Sequence, residues 1–274
     1  MKNADKPDKT NPAGAHPNGR NGAGARRIEP ASSRFYGVSL PGVKEEELTG
    51  SLIVIEGTDG SGRSTQIALL TEWLESEGFA VQTTGLRRSS LVADDIDTLM
   101  AENSITRLTL ALMYSTDFFD QLERRILPAL RSGLVVLADR YIFTLIARAA
   151  VRGIGRDYLH GIYEMALRPD LTFWLNVQPE VAFDREFKKS HSISYWESGR
   201  DMSLSNDLFQ SFIRYQSLIK KEFEYLSRRH NFCELDGEGK VSAVNRELRK
   251  RIAAHLGIKG THYTPSPALA SLWH

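Results

Sequence analysis

Residues 54 to 66, Val-Ile-Glu-Gly-Thr-Asp-Gly-Ser-Gly-Arg-Ser-Thr-Gln, place glycines, hydroxyls and one cation between an apolar run and a helical pattern. Glycines at such a turn let backbone N–H groups face a concave pocket, and the N-terminus of the following helix adds positive potential for phosphate oxygens. The phosphate-loop pattern G-x-x-x-x-G-K-S/T is met at Gly57, Gly62 and Ser64, with Arg63 in the lysine position. Arg63 keeps the charge, but its longer planar guanidinium does not fit a lysine's place unchanged. The stretch Gly57, Thr58, Asp59, Gly60, Ser61, Gly62, Arg63, Ser64 and Thr65 is the candidate nucleotide-phosphate cradle. The competing reading is a glycine turn that binds nothing. It is disfavoured by the context: Leu52-Ile53-Val54-Ile55 reads as a buried parallel strand, and Ile67, Leu70 and Leu74 as one face of a helix.

A second constellation follows about 80 residues on, where Leu134-Val135-Val136-Leu137-Ala138 runs into Asp139-Arg140-Tyr141. A carboxylate at the carboxyl end of a parallel strand lies on the edge where such sheets bind ligands, and can hold Mg²⁺ directly or through water. Arg140 then faces the transferring phosphoryl group, where fixed positive charge stabilises the transition state. The alternative is structural, with Asp139 capping the next helix and pairing with Arg140. The pairing with a phosphate loop favours the functional reading.

The elements that must position these groups alternate in type. Strands are expected at 51–56, 79–84, 134–139, 171–177 and 231–236. Helices are expected at 63–77, 94–102, 105–131, 179–187, 204–229 and 240–256, with a pair over 141–167. This predicts an α/β domain, a doubly wound, parallel five-stranded sheet flanked by helices. In the long helix, Leu108, Leu112, Phe119, Leu122 and Ile126 are spaced to form one stripe against the sheet. Residues 188 to 203 are polar and unpatterned, and read either as a plain loop or as a lid over phosphates, the second being favoured beside a phosphate loop.

The chain has 274 residues, 41% hydrophobic and 25% charged, with a net charge of +1. Residues 1 to 34 carry a net +4, which leaves −3 for the remainder and argues against nucleic-acid binding by charge. Proline, glycine and a lack of large apolar side chains over the first 34 residues point to disorder, and residues 1–48 are expected to be a disordered extension ahead of one main domain over 49–256 and a loose tail over 257–274. In that tail, Leu269, Leu272 and Trp273 are able to dock, with a frayed end the favoured reading. Asp5, Asp8 and Glu29 oppose a transit peptide, no apolar run is long enough to span a membrane, and the single Cys233 excludes an internal disulfide. A cytoplasmic location is therefore expected.

Taken together, these residues resemble the thymidylate kinase family of P-loop nucleoside monophosphate kinases over roughly residues 50 to 252. The matching pieces are Ile55 to Gln66, Ile126-Leu127-Pro128-Ala129-Leu130 with Gly133, Asp139-Arg140-Tyr141, Arg168-Pro169-Asp170-Leu171-Thr172, and Pro179-Glu180-Val181 through Arg185. The resemblance implies a core with a lid, ATP with Mg²⁺ as donor, a pyrimidine deoxynucleotide as acceptor, and small-molecule nucleotides as partners. Neither nucleic acid nor membrane is implied, and a homodimer is left open. It implies catalytic roles for Arg63, Asp139 and Arg140, and metal contacts for Ser64 and Asp139. Asp59, Arg88, Phe118, Tyr141 and Arg148 fall on the acceptor side, with Arg88 gripping the acceptor phosphate. Arg185, Lys188, Lys189 and Arg200 are the candidates for a lid cation, because Gly60 offers none.

The departures from the family pattern cluster at the acceptor base. Phe118 stands where an arginine usually reads thymine, Arg148-Ala149 replaces a Tyr-Gln pair, and the second loop lacks Glu-Pro. Phe118 is able to stack on a base or to serve as a plain core residue. The expected function is phosphoryl transfer from ATP to dTMP. The alternatives are a kinase of another nucleotide or small acceptor, and a nucleotide-binding module without turnover.

Overall fold

The computed structural model describes residues 33–260 and 262–273. Five strands form one parallel sheet: β1 (Ser51–Gly57), β2 (Val81–Gly85), β3 (Val135–Asp139), β4 (Leu171–Asn176) and β5 (Cys233–Asp236). Their order is β2-β3-β1-β4-β5. The apolar run of β1 is central because both its edges are paired and every residue after Ser51 is buried. Chain connections leave β1 toward β2 and β3 on one side and toward β4 and β5 on the other. That divergence opens a crevice at the carboxyl ends of the strands. The register puts Ile55 and Gly85 level with Asp139, so the ends of β1, β2 and β3 share one edge.

Side-chain alternation along β1 divides the core into two layers. Leu52 and Val54 face the layer containing α3 (Arg107–Gln121), α5 (Ile142–Val151) and α8 (Leu208–His230). Ile53 and Ile55 face α1 (Arg63–Ser76) and α9 (Val241–Leu256). The remaining helices are α2 (Ala93–Ala101), α4 (Leu127–Arg131), α6 (Arg156–Ile162) and α7 (Pro179–Ser190).

The long helix presents a different face from the expected one. Leu108 and Leu112 are 49% and 42% exposed, whereas Leu110, Tyr114, Phe118, Leu122 and Ile126 are buried. Steps of four drift around a regular helix by about 40° each. A π-helical stretch, Leu122–Ile126, joins α3 to α4 and takes up that drift. It lies just before Pro128, which has no N–H to give to the preceding turn.

Both flanking segments are more ordered than composition implies. Residues 33 to 48, expected to belong to the disordered extension, pack on the body. Phe35 is fully buried and forms a bridge to Leu167, Tyr36 packs edge-on to Phe143, and Leu48 is buried. Two adjacent aromatic side chains supply the burial that the preceding residues lack. The rest of the expected extension, residues 1–32, lies outside the described residues.

The C-terminal tail also docks. Glu72 on α1 accepts from Tyr263 Oη (2.7 Å) and Ser266 N (2.8 Å), and Arg249 lies over the rings of Tyr263 and Trp273. Trp273 packs edge-on to Tyr263, and Leu269 and Leu272 are half-buried.

Candidate active site

β1 delivers its last residue, Gly57, into a loop that turns at Gly60 (φ +75) and Gly62 (φ +88) before α1 begins at Arg63. Gly60 is required twice over. Its backbone is left-handed, and a Cβ there would meet the Ala182 carbonyl of α7 at 2.3 Å. At Gly57 a Cβ would come within 2.6 Å of Ser61 Oγ. The opening N–H groups of α1 have no intrahelical acceptors, which leaves them for an anion.

Arg63 is folded back into this loop. Nη1 donates to Gly57 O (2.7 Å), Ser61 Oγ (2.8 Å) and the Thr58 carbonyl, and Nε donates to Asp139 Oδ1 at 3.0 Å. The second oxygen of Asp139 accepts from Ser64 Oγ at 2.8 Å. Burial works against ionisation of Asp139, but the Arg63 and Arg140 charges and the Ser64 hydroxyl outweigh it and hold its pKa below the usual value. The Ser64 hydroxyl and Asp139 carboxylate form the oxygen pair that Mg²⁺ favours, with room left for water and phosphate oxygens. Among the described residues there is no larger cluster of metal-ligating side chains.

Arg140 takes the left-handed region at φ +75, uncommon and strained for a residue with a Cβ. Its conformation is fixed by β1. Arg140 N donates to Ile55 O (3.0 Å), and the buried Glu56 carboxylate accepts from Tyr141 N (2.9 Å), Thr144 N (3.2 Å) and Thr144 Oγ1 (2.5 Å). Glu56 thus caps the first turn of α5 and aims Arg140. Burial raises the Glu56 pKa to about 7 against these hydrogen bonds and the Arg140 charge.

Asp59 is the hub of the cluster. It accepts from Arg140 Nη2, from Arg148 Nη2 at 3.0 Å to each oxygen, and from Gln216 Nε2 at 3.2 Å. Burial opposes its charge, yet Arg148 and Arg140 prevail and keep it well below the usual carboxylate range. Arg148 lies on α5 and Arg140 just ahead of that helix, and both reach the same carboxylate.

Across the crevice the loop after β2 is held by Asp117 of α3, a fully buried carboxylate that accepts from the backbone N–H groups of Arg87 (2.8 Å), Arg88 (3.0 Å) and Ser89 (2.9 Å). The Arg88 guanidinium lies over Gly85 and has no hydrogen-bond partner among the described residues.

One cavity of about 770 Å³ is lined by Asp59 to Gln66, Arg88, Asp139, Arg140 and Arg148. Its far end is walled by Arg185, Lys189 and the loop from Gly237 to Val241, with Arg185 Nη1 donating to Gly237 O at 2.8 Å. The expected phosphate cradle, Asp139-Arg140, Arg88, Arg148, Arg185 and Lys189 therefore come together. Four expected residues do not join them. Phe118 packs edge-on to Phe119, Tyr141 and Tyr163, and the Tyr141 hydroxyl donates to Leu167 O, so both side chains belong to the core. Both are buried, and neither lines the cavity. Lys188 and Arg200 are exposed and do not line the cavity.

Sequence reasoning missed Glu56, Asp117 and Gln216. Glu56 had a signal, an acid inside an otherwise apolar strand. Asp117 and Gln216 had none, because their roles depend on which helix face is buried.

Residues 55–248 match the family model described as Thymidylate kinase. The chain is 36% identical over 210 residues to Probable thymidylate kinase 2 of Saccharolobus solfataricus, covering 76% of this chain and 98% of that protein. It is 30% identical to Thymidylate kinase of Caldicellulosiruptor saccharolyticus, over 75% of this chain and 97% of that protein. To Thymidylate kinase of Caldanaerobacter subterraneus it is 28% identical, over 76% and 98%.

Proposed function

Because the chain belongs to the thymidylate kinase family, we propose that it transfers the γ-phosphoryl group of ATP to a pyrimidine deoxynucleoside monophosphate, with dTMP as principal acceptor. The observation that carries this reading is the single cavity lined at once by the phosphate loop, Asp139-Arg140 and Arg88. Its volume of about 770 Å³ lies within the ordinary range for small-molecule sites.

In the reaction an oxygen of the acceptor phosphate forms the new bond to the γ-phosphorus, and the bond from that phosphorus to the β–γ bridging oxygen breaks. ADP leaves with the bond pair, and no covalent enzyme intermediate is needed. The loop from Gly57 to Thr65 supplies backbone donors for the donor phosphates. Ser64 Oγ and Asp139 would hold Mg²⁺, which would supply charge neutralisation at the phosphate oxygens. Arg63 is the loop cation, released from the Gly57 and Thr58 carbonyls as phosphate oxygens replace them. Arg140, pinned by Glu56 and Asp59, presents fixed positive charge to the transferring group, which needs no reorganisation during the reaction. Arg88, whose guanidinium has no hydrogen-bond partner among the described residues, is the cation for the acceptor phosphate. Arg185 and Lys189 hold the donor end, and Lys189 is the better placed of the two lysines to reach phosphate. A cytoplasmic setting agrees with the lone, unpaired Cys233. No described helix is long and apolar enough to cross a membrane.

A steady-state assay with ATP, Mg²⁺ and a panel of nucleoside monophosphates tests this. Formation of dTDP fastest, with weaker use of other pyrimidine monophosphates, is the expected result. Transfer to a purine monophosphate alone would replace the proposed acceptor class.

A further inference from the structure

A second, much smaller cavity of about 40 Å³ adjoins the large one, sharing Arg87, Arg148 and Glu197 as lining residues. Its walls are mostly apolar, with Leu110 and Tyr114 from α3, Leu145 from α5, Met100 and Tyr163 among them, while Arg107 and Arg152 add charge to its lining. Its roof is Trp196. This tryptophan comes from the strap of residues 191–207 that joins α7 to α8, is 6% exposed, and donates from Nε1 to Met100 O at 3.0 Å.

The strap is tied down from below by Arg152, the residue that caps the C-terminus of α5. Its guanidinium donates to Trp196 O (2.9 Å), to both carboxylate oxygens of Asp201 (2.9 and 3.1 Å) and to Tyr215 Oη (2.6 Å), and lies 5.5 Å from the Trp196 ring centre. Arg107 adds a bond to the Asp201 carbonyl. The side chains of Arg152 and Asp201 are 5% and 6% exposed, so this ion pair is dry and well hydrogen-bonded.

The two sizes do not match. A cavity that admits benzene is about 150 Å³, whereas this annex has room for only a few water molecules. An acceptor phosphate at Arg88 and Arg140 leaves its base two directions, the donor end of the large cavity or the apolar annex beside Arg148. Donor and acceptor cannot share the first. The base therefore enters the annex, and it does so only if the indole moves.

We propose that Trp196, latched by Arg152 and Asp201, is the specificity-determining residue for the acceptor base: it must lift to admit a ring, and the room it yields sets the largest base accepted. This rests on the monophosphate-kinase reading above. A single six-membered ring under the displaced indole is accepted, and a fused purine is excluded by bulk rather than by hydrogen bonding. Arg152 and Asp201 are positioning residues, which act on the base through the strap.

The test compares kcat/KM for dTMP and dGMP in the wild type, Trp196→Ala and Trp196→Phe. Trp196→Ala is expected to raise the dGMP to dTMP ratio at least tenfold, Trp196→Phe to raise it less, and both to leave the KM for ATP within about twofold. An unchanged ratio in folded variants would overturn the proposal. Asp201→Asn, which removes no atom from the annex, is expected to lower the KM for dTMP more than it changes kcat, because a looser latch raises the fraction of open strap. An unchanged KM in that variant would remove the latch. Failure of the underlying kinase reading looks different, as a wild type that phosphorylates neither monophosphate.

Discussion

Arg63 and Asp139 are joined by an ion pair of 3.0 Å between Nε and Oδ1, so the cation of the phosphate loop is tied to the acid at the end of the neighbouring strand. A lysine ammonium has no second donor nitrogen with which to hold the loop carbonyls and Asp139 together. The guanidinium does both, since Nη1 keeps Gly57 O and Ser61 Oγ while Nε keeps the carboxylate. In the resting state the arginine thus neutralises the acid that is proposed to sit beside Mg²⁺.

Arg63→Lys is expected to keep the loop charge and free Asp139, so ATP affinity should stay within a few-fold of wild type or rise. Arg63→Ala removes a charge-assisted phosphate contact of about 1.5–3 kcal/mol and should weaken ATP binding roughly tenfold or more. Titration calorimetry with ATP and Mg²⁺ reads both. Equal affinity in the alanine variant would separate Arg63 from phosphate binding.

Asp139→Asn and Arg140→Ala are each expected to lower kcat by about two orders of magnitude or more, with a much smaller change in ATP binding, as when preorganised charge at a transferring group is lost. Rapid-quench measurement of the chemical step, beside equilibrium ATP binding, distinguishes this from a general loss of structure.

The pH dependence of stability should carry the mark of Glu56. Its folded pKa, raised to about 7 by burial, lies above the ordinary value of 4.5, so between those limits the folded state holds a proton that the unfolded state has released. Stability from this group is present in full below pH 4.5 and is lost as pH rises to about 7. His230, lowered to about 4 by burial and by the charge of its neighbour His160, acts in the opposite direction over much of that window. The comparison is therefore with Glu56→Gln, which keeps the shape and the histidines. Urea unfolding between pH 4.5 and 8 should show the wild type losing stability relative to the variant, by at most about 3 kcal/mol. Parallel profiles would contradict the shifted carboxyl.

Asp117→Asn should raise the acceptor KM on the order of tenfold while leaving the KM for ATP nearly unchanged, because an amide cannot accept all the backbone bonds that hold Arg87, Arg88 and Ser89 in place. Equal changes in both KM values would point to general destabilisation.

Much of this site was legible in the sequence because local chemistry dictates it. The glycines, Ser64 and Asp139 sit at strand ends whose register follows from apolar runs, and the five strands appear within two residues of their expected bounds. What was not legible depends on long-range packing. The family resemblance put Phe118 and Tyr141 on the acceptor side, but the phase of α3, taken up by the π-helical stretch before Pro128, turns Phe118 into the core. The loops over 33–48 and 262–273 gain their order from partners more than a hundred residues away, Leu167 and Arg168 for the first and Glu72 for part of the second. The strap over 191–207 has no periodicity of its own, since Arg152 and Met100 supply the acceptors and donors that fix it.

If one cavity moves a phosphoryl group from ATP to dTMP, a single-turnover reaction of purified protein with γ-labelled ATP, Mg²⁺ and dTMP should place the label in dTDP. The transfer should be faster than any release of inorganic phosphate and be abolished by chelation of the metal. Labelled phosphate with no dTDP, or no turnover with dTMP, dUMP or any other monophosphate, would contradict it and leave a protein that binds nucleotide without transferring its phosphate.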